Sequence, residues 1–225
     1  MSNFNIRNAT TNDIDFLVQT IVEAEKSGTE KLSYTTIFGL NEQQTYQCLR
    51  KIFEEDYDGC ELSISSFLVV EKDSEVIAAV SAWIESKDGV NSNTIKGSLL
   101  AYILPIWAIE KAAKVSNLIS QLYIDNEKGI LQIGVAYVLP QHRGKKLVQL
   151  LINEHIEKSI RLDEDFKEVQ VQVFANNISA IMAYEKFGFK IFKEVDCNLS
   201  EILNYLPDQK KVAMKYLIEN KNINK

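Results

Sequence analysis

Apolar and polar positions alternate from Phe4 to Arg7, which predicts a short half-buried strand. Thr10 and Asp13 have the spacing of a capping box, and Ile14, Leu17, Val18, Ile21 and Val22 follow at helical spacing. This first helix is expected to reach about Lys26 and to end at Gly28. A second is expected from Asn41, with Tyr46, Leu49, Ile52 and Phe53 on its inner face. Ser66 to Glu71 and Val76 to Ile84 are rich in β-branched and aromatic residues. Lys72-Asp73-Ser74-Glu75 separates them, giving a hairpin pattern.

Lys87 to Gly129 is too long for a bare loop in a compact fold. It opens on a polar stretch and turns strongly apolar from Leu99 to Tyr123, with a break at Pro105. Ile106 to Leu122 is predicted as a helix. Beyond it, Ile130 to Leu139 reads as a strand stopped by Pro140, and Gly144 to Leu162 as a helix. A strand over Val169 to Phe174 follows, then a short helix over Asn177 to Phe187 closed by Gly188. Strands over Lys190 to Val195 and Val212 to Ile218 complete the set. No linker or repeat divides the chain. Residues 1–225 are therefore expected to form a single α/β domain with a mixed sheet and a mostly helical insertion at about 87–129, before the central strand.

The 225 residues carry a net charge of -6, which argues against a nucleic-acid partner. The longest apolar run, Leu99 to Ile109, is far short of the roughly 20 residues that span a bilayer, so no membrane partner is expected. The polar N-terminus does not read as a secretory signal. Cys48, Cys60 and Cys197 are odd in number and without CxxC spacing, which suits reduced thiols in a cytoplasmic protein. Two histidines, His142 and His155, and no HExxH leave no metal site in prospect.

Candidate chemistry sits in two segments. In Val135-Ala136-Tyr137-Val138-Leu139-Pro140-Gln141-His142-Arg143-Gly144-Lys145-Lys146-Leu147-Val148 a strand turns into a helix. The first N–H groups of that helix lack internal partners and can bind a phosphate. Arg143, Lys145 and Lys146 lie at the same end, where each cation opposes the helix dipole by roughly 0.3–1 kcal/mol unless an anion docks there. There is no P-loop and no GxGxxG, so nucleotide hydrolysis and dinucleotide binding are disfavoured. In the second segment, Asn177 or Asn176 is a natural N-cap, and Ala180 and Tyr184 share its helix face.

Together, V-x-P-x-x-R-G-K and the later N-x-x-A-x-x-x-Y-x-x-x-G-F resemble the GNAT superfamily of acyl-CoA-dependent N-acetyltransferases, and the order of elements matches over most of the chain. The resemblance implies a fold with a gap between two parallel strands, here those ending near Val138 and Phe174. It implies acetyl-CoA as co-substrate and an amine acceptor, with no metal. Pantetheine would lie in the gap against Ala136, Tyr137 and Val138. The pyrophosphate would sit over Arg143, Gly144, Lys145, Lys146, Leu147 and Val148, with Asn177 holding the pantetheine or phosphate arm. Tyr184 would protonate the departing thiolate, and an N–H near Val138 would donate to the oxyanion.

Two departures stand out. Lys146 and Val148 occupy positions where the family has small residues, and Gln172 stands where some members carry a glutamate base. Asp125 and Glu127, ahead of the central strand, are the alternative base candidates. Glu54, Glu55, Asp56 and Asp58 cluster where an acceptor would enter. These departures leave open a second reading, a catalytically weak or inactive acyl-CoA-binding regulatory domain. The apolar insertion leaves open a lid, a partner surface or a homodimer contact.

Overall fold

The computed structural model describes residues 4–163 and 166–218. Met1 to Asn3 of the polar N-terminal stretch, and the two chain ends of the expected 1–225 domain, lie outside the described residues. One seven-stranded sheet organises the chain. It comprises β1 (Asn5–Asn8), β2 (Phe67–Lys72), β3 (Glu75–Ile84), β4 (Leu131–Val138), β5 (Glu168–Phe174), β6 (Lys190–Asp196) and β7 (Lys210–Leu217). The order is β1-β2-β3-β4-β5-β7-β6, and β4–β5 is the parallel pair among antiparallel neighbours.

Seven α-helices accompany the sheet among the described residues: α1 (Ile14–Glu25), α2 (Ser33–Thr36), α3 (Glu42–Glu55), α4 (Ser92–Ile103), α5 (Ile106–Ile119), α6 (Leu147–Leu162) and α7 (Ile178–Phe187). Helix starts follow local chemistry. Asp13 Oδ2 accepts from Thr10 N at 2.7 Å, and Asn41 and Gln44 form a reciprocal capping box at 2.8 and 2.9 Å. Gly188 ends α7 at φ +117, the left-handed C′ position, and its N–H donates to Tyr184 and Glu185 carbonyls.

The strand alternation sorts side chains onto two cores. On one face Leu17 and Ile21 of α1 and Leu49, Ile52 and Phe53 of α3 bury Phe67, Val69 and Ala79, joined by Leu99 and Leu100 of α4. On the other, Leu147, Leu151 and Ile152 of α6 and Tyr184 of α7 cover Val80, Ile133, Val171 and Met214. The three cysteines are buried and unpaired, and His155 Nε2–H donates to the Val80 carbonyl, 3.0 Å away.

Four expectations shift. Tyr46 is half-exposed, and Thr45 and Cys48 turn inward in its place. The helix expected from Gly144 starts at Leu147, because Gly144 and Lys146 both take positive φ (+78 and +59) and cannot belong to it. The insertion holds two helices rather than one. Asn91 caps α4, its side chain accepting from Asn93 N, and Pro105 separates α4 from α5. The α-helix expected to reach Leu122 stops at Ile119 and finishes as a 3-10 turn. No helix among the described residues is long and apolar enough to cross a membrane.

Candidate active site

The parallel pairing of β4 and β5 covers only Leu131–Ile133 against Val169–Val171, after which the strands part. The cause is a bulge in β4. Gly134 and Val135 together face the single residue Ser81 of β3, and Val135 N–H donates to Ser81 Oγ at 3.0 Å. Only glycine fits at 134, since a Cβ would lie 2.5 Å from Ser81 Oγ and 2.7 Å from the Trp83 ring. Beyond the bulge, Leu139 N–H donates to Ile77 O. In an antiparallel ladder this aims the polar backbone of Tyr137 at β3 and that of Ala136 and Val138 away from it, into the gap. Tyr137 turns its ring onto Phe16 of α1, with centroids 6.0 Å apart.

The turn after β4 presents donors at the same end. The N–H groups from Gly144 to Gln149 meet no acceptor among the described residues, and nothing lies within 4 Å of where a Gly144 Cβ would stand. Arg143 Nε donates to Val138 O at 3.3 Å, and Lys145 Nζ sits 3.1 Å from His142 Nδ1. No carboxylate among the described residues pairs with Arg143, Lys145 or Lys146. Three cations therefore crowd the positive end of α6. Val148 is partly buried against the apolar core.

Across the gap, Asn177 Oδ1 caps α7, accepting from Ala180 N at 3.2 Å and Ser179 Oγ at 3.0 Å. Its Nδ2 has no partner among the described residues. Tyr184 is buried among Val171, Val173, Leu147 and Leu151 and packs edge-on to Phe189. Burial pushes its phenol up to about 12. Its hydroxyl makes no hydrogen bond to a described residue and, unlike that of Tyr34, is not sealed from solvent.

The opposite face of the sheet holds a cavity of about 240 Å³ that reaches the bulge at Gly134 and Val135. The insertion roofs it with Asn93, Lys96, Tyr123 and Asn126. Four charged residues that sequence reasoning missed line it: Glu25, Glu61, Lys96 and Lys211. Lys96 Nζ lies 2.6 Å from Glu61 Oε1. Burial opposes charge on both, yet their mutual attraction prevails and holds Glu61 below, and Lys96 above, its ordinary range. Burial, and then repulsion from Lys96, push Lys211 down to about 8. No local pattern betrays these residues, because they come from four separate segments of the chain and meet only in the folded cavity.

Gln172 faces the cavity and donates to Ile124 O at 3.0 Å and Asn126 Oδ1 at 2.7 Å. Asp125 and Glu127 are exposed. Glu127 meets the cavity only through Gln170, which donates to it at 3.0 Å and accepts from cavity-lining Gln132 at 3.3 Å. Of the acidic cluster, Glu55 and Asp58 rim a separate cavity of about 630 Å³ beneath α4, lined by Ile84, Ile95, Leu99 and Tyr102. No cluster of possible metal ligands occurs among the described residues.

The split parallel pair, the charged cavity at the bulge and the donor-rich turn lie in succession along β4, and residues 34–189 match the acetyltransferase (GNAT) family. The chain belongs to the GNAT acetyltransferase family. A spermine/spermidine N(1)-acetyltransferase of Bacillus subtilis (strain 168) is 28% identical over 79 residues, which cover 35% of this chain and 51% of that protein. The fold of this chain resembles that of an N-acetyltransferase from Staphylococcus aureus Mu50, with a TM-score of 0.64 at 13% identity, covering 94% of this chain and all of that one. A polyamine N-acetyltransferase of Drosophila melanogaster aligns with a TM-score of 0.56 at 16% identity, covering 96% of this GNAT chain and 100% of that protein. PaiA N-acetyltransferase from Thermoplasma acidophilum, solved in complex with coenzyme A, aligns at 0.50 with 15% identity over 96% and 99% of the two chains. These likenesses establish the family fold.

Proposed function

We propose that this GNAT protein moves an acetyl group from acetyl-CoA to a primary amine by direct attack in a ternary complex. The observation that carries the reading is the bulge at Gly134–Val135. The backbone gap opens on one side of it and the charged cavity on the other, so two substrates can meet there from opposite faces.

The residues present suit the co-substrate. Free donors from Gly144 to Gln149, open space at Gly144 and three unpaired cations match a pyrophosphate. The outward backbone of Ala136 and Val138 matches the amides of pantetheine. Asn177 Nδ2 is free to donate to the same arm. When bound, the thioester supplies an activated acetyl carbon, to which the amine nitrogen bonds as the C–S bond breaks and its electron pair leaves on sulfur.

A strand N–H at Ala136 or Val138 donates to the acetyl oxygen as charge gathers there. Tyr184 stays protonated at neutral pH and donates a hydrogen bond to the leaving sulfur. Its raised pKa makes full proton transfer to a thiolate uphill, so the hydrogen bond itself is the stabilising element. Glu127 serves as the outer acceptor of the amine proton, which reaches it through water, since the Gln132–Gln170 amides do not relay protons. The three buried, unpaired cysteines support a reducing, cytoplasmic location. The exposed Tyr102, Ile106 and Trp107 support pairing of two copies through the insertion.

Incubation with acetyl-CoA and an amine panel should release free thiol and give acetylated product by mass. Absence of both with every amine would refute the reading. A second reading, a CoA-binding domain without turnover, draws on the bulky Lys146 and Val148. It requires CoA binding by calorimetry with no thiol release.

A further inference from the structure

We propose that the amine acceptor also carries a carboxylate, received by Lys211, so that the substrates are small amino acids rather than polyamines. This rests on the acetyl-transfer reading above for the reaction itself. Lys211 stands on β7 opposite Phe174 of β5, beyond the point where β4 leaves β5. Its ammonium lies 5.9 Å from the centroid of the Phe174 ring and lines the same cavity as Gly134 and Val135.

The charges around it are unequally answered. Lys96 is committed to Glu61. Glu25, whose carboxylate takes a hydrogen bond from Ser33 Oγ, carries no cation of its own. Lys211 makes no hydrogen bond or ion pair with any described residue, and Glu25 and Glu61 attract it only from beyond contact. A largely desolvated cation whose counter-ions lie out of contact gains from a ligand that sets a carboxylate against it.

The cavity thus offers one free cation and one free anion among the described residues. A zwitterion complements that pair. A polyamine would bring several positive charges against Lys96 and Lys211 and find a single open carboxylate. The backbone of a protein N-terminus has an amide where an amino acid has its carboxylate, so it lacks the group Lys211 would bind.

The test compares amino acids, their own amides, and spermidine with the full chain and acetyl-CoA, by thiol release and by calorimetric titration of each amine. The best amino acid should exceed its amide at least tenfold in kcat/KM and in affinity, and should also exceed spermidine. Lys211→Met should bring the amino acid-to-amide ratio close to one, and Lys211→Arg should retain much of it. Circular dichroism checks that both variants fold. Equal or better use of the amide or of spermidine would overturn the proposal, as would an unchanged ratio in folded Lys211→Met. If no amine is acetylated, the titrations still decide. A Lys211-dependent preference for the carboxylate would sink acetyl transfer and leave the ligand assignment standing. No preference would remove the assignment whatever the fate of acetyl transfer.

Discussion

Replacing Glu85 with glutamine should loosen the roof of the charged cavity at the bulge. Glu85 follows β3 where the insertion departs, and it is fully buried. Its backbone also holds the returning chain, donating to Ile130 O at 3.0 Å and accepting from Gly129 N at 2.8 Å. Its carboxylate accepts from Ser92 N at 2.9 Å, Ser92 Oγ at 2.5 Å, Ser86 Oγ at 3.0 Å, Trp83 Nε1 at 3.1 Å and Asn126 Nδ2 at 3.3 Å. Burial alone would raise this carboxyl, but the donors, led by Ser92, outweigh it and keep it below the ordinary value.

Glutamine keeps the shape but must turn an NH2 toward one set of donors. Either Ser92 N–H, or Trp83 Nε1–H with Asn126 Nδ2–H, then faces another donor. Orphaning one buried donor costs about 1–3 kcal/mol, and losing the charge weakens the remaining bonds. A total near 3 kcal/mol would lower a urea midpoint by about 1–2 M. In steady-state kinetics the KM for the amine should rise and that for acetyl-CoA should hold. Asn93, Lys96, Tyr123 and Asn126 belong to the insertion and line the cavity, whereas no residue of the turn at 140–148 does. A midpoint within about 0.3 M of wild type, with both KM values unchanged, would refute the reasoning.

Tyr184→Phe should reduce kcat by roughly 10–100-fold, the worth of one hydrogen bond to a developing charge, while calorimetry finds CoA affinity nearly intact; an unchanged kcat would show that the hydroxyl plays no part. His155, pushed down to about 4 by burial against an ordinary 6.5, stays neutral where the unfolded chain is protonated. Stability should therefore fall by about 3 kcal/mol as pH drops from 6.5 to 4, and chemical denaturation of His155→Leu should lack that slope. Lys146→Gly should raise the thermal midpoint, since the left-handed conformation costs a lysine about 1–2 kcal/mol and glycine little. The same change should raise the KM for acetyl-CoA by removing one cation, and a lower midpoint would contradict the strain argument.

Features that depend on near neighbours are legible in the residues themselves. Capping at Thr10, Asn41 and Asn177, the stop at Gly188 and the breaks at Pro105 and Pro140 are decided within one turn of chain, so they are readable residue by residue. The donor turn before α6 was legible for the same reason, because its N–H groups and Arg143, Lys145 and Lys146 are contiguous. Spacing alone starts its helix three residues early, since the positive φ at Lys146 follows from how the turn closes and no glycine signals it. Tyr46 was misplaced because one step along a helix moves a side chain by about 100°, and only the packing of α3 on α1 decides which edge of the stripe is covered. The charged cavity exists only in the folded chain. Glu61 and Lys96 stand 35 residues apart, and Glu25 and Lys211 lie far from both in sequence. The bulge at Gly134 and the clasp at Glu85 bring them to one cavity. Such charges acquire a meaning only when burial removes their water and leaves some, like Lys211, without a contacting partner among the described residues.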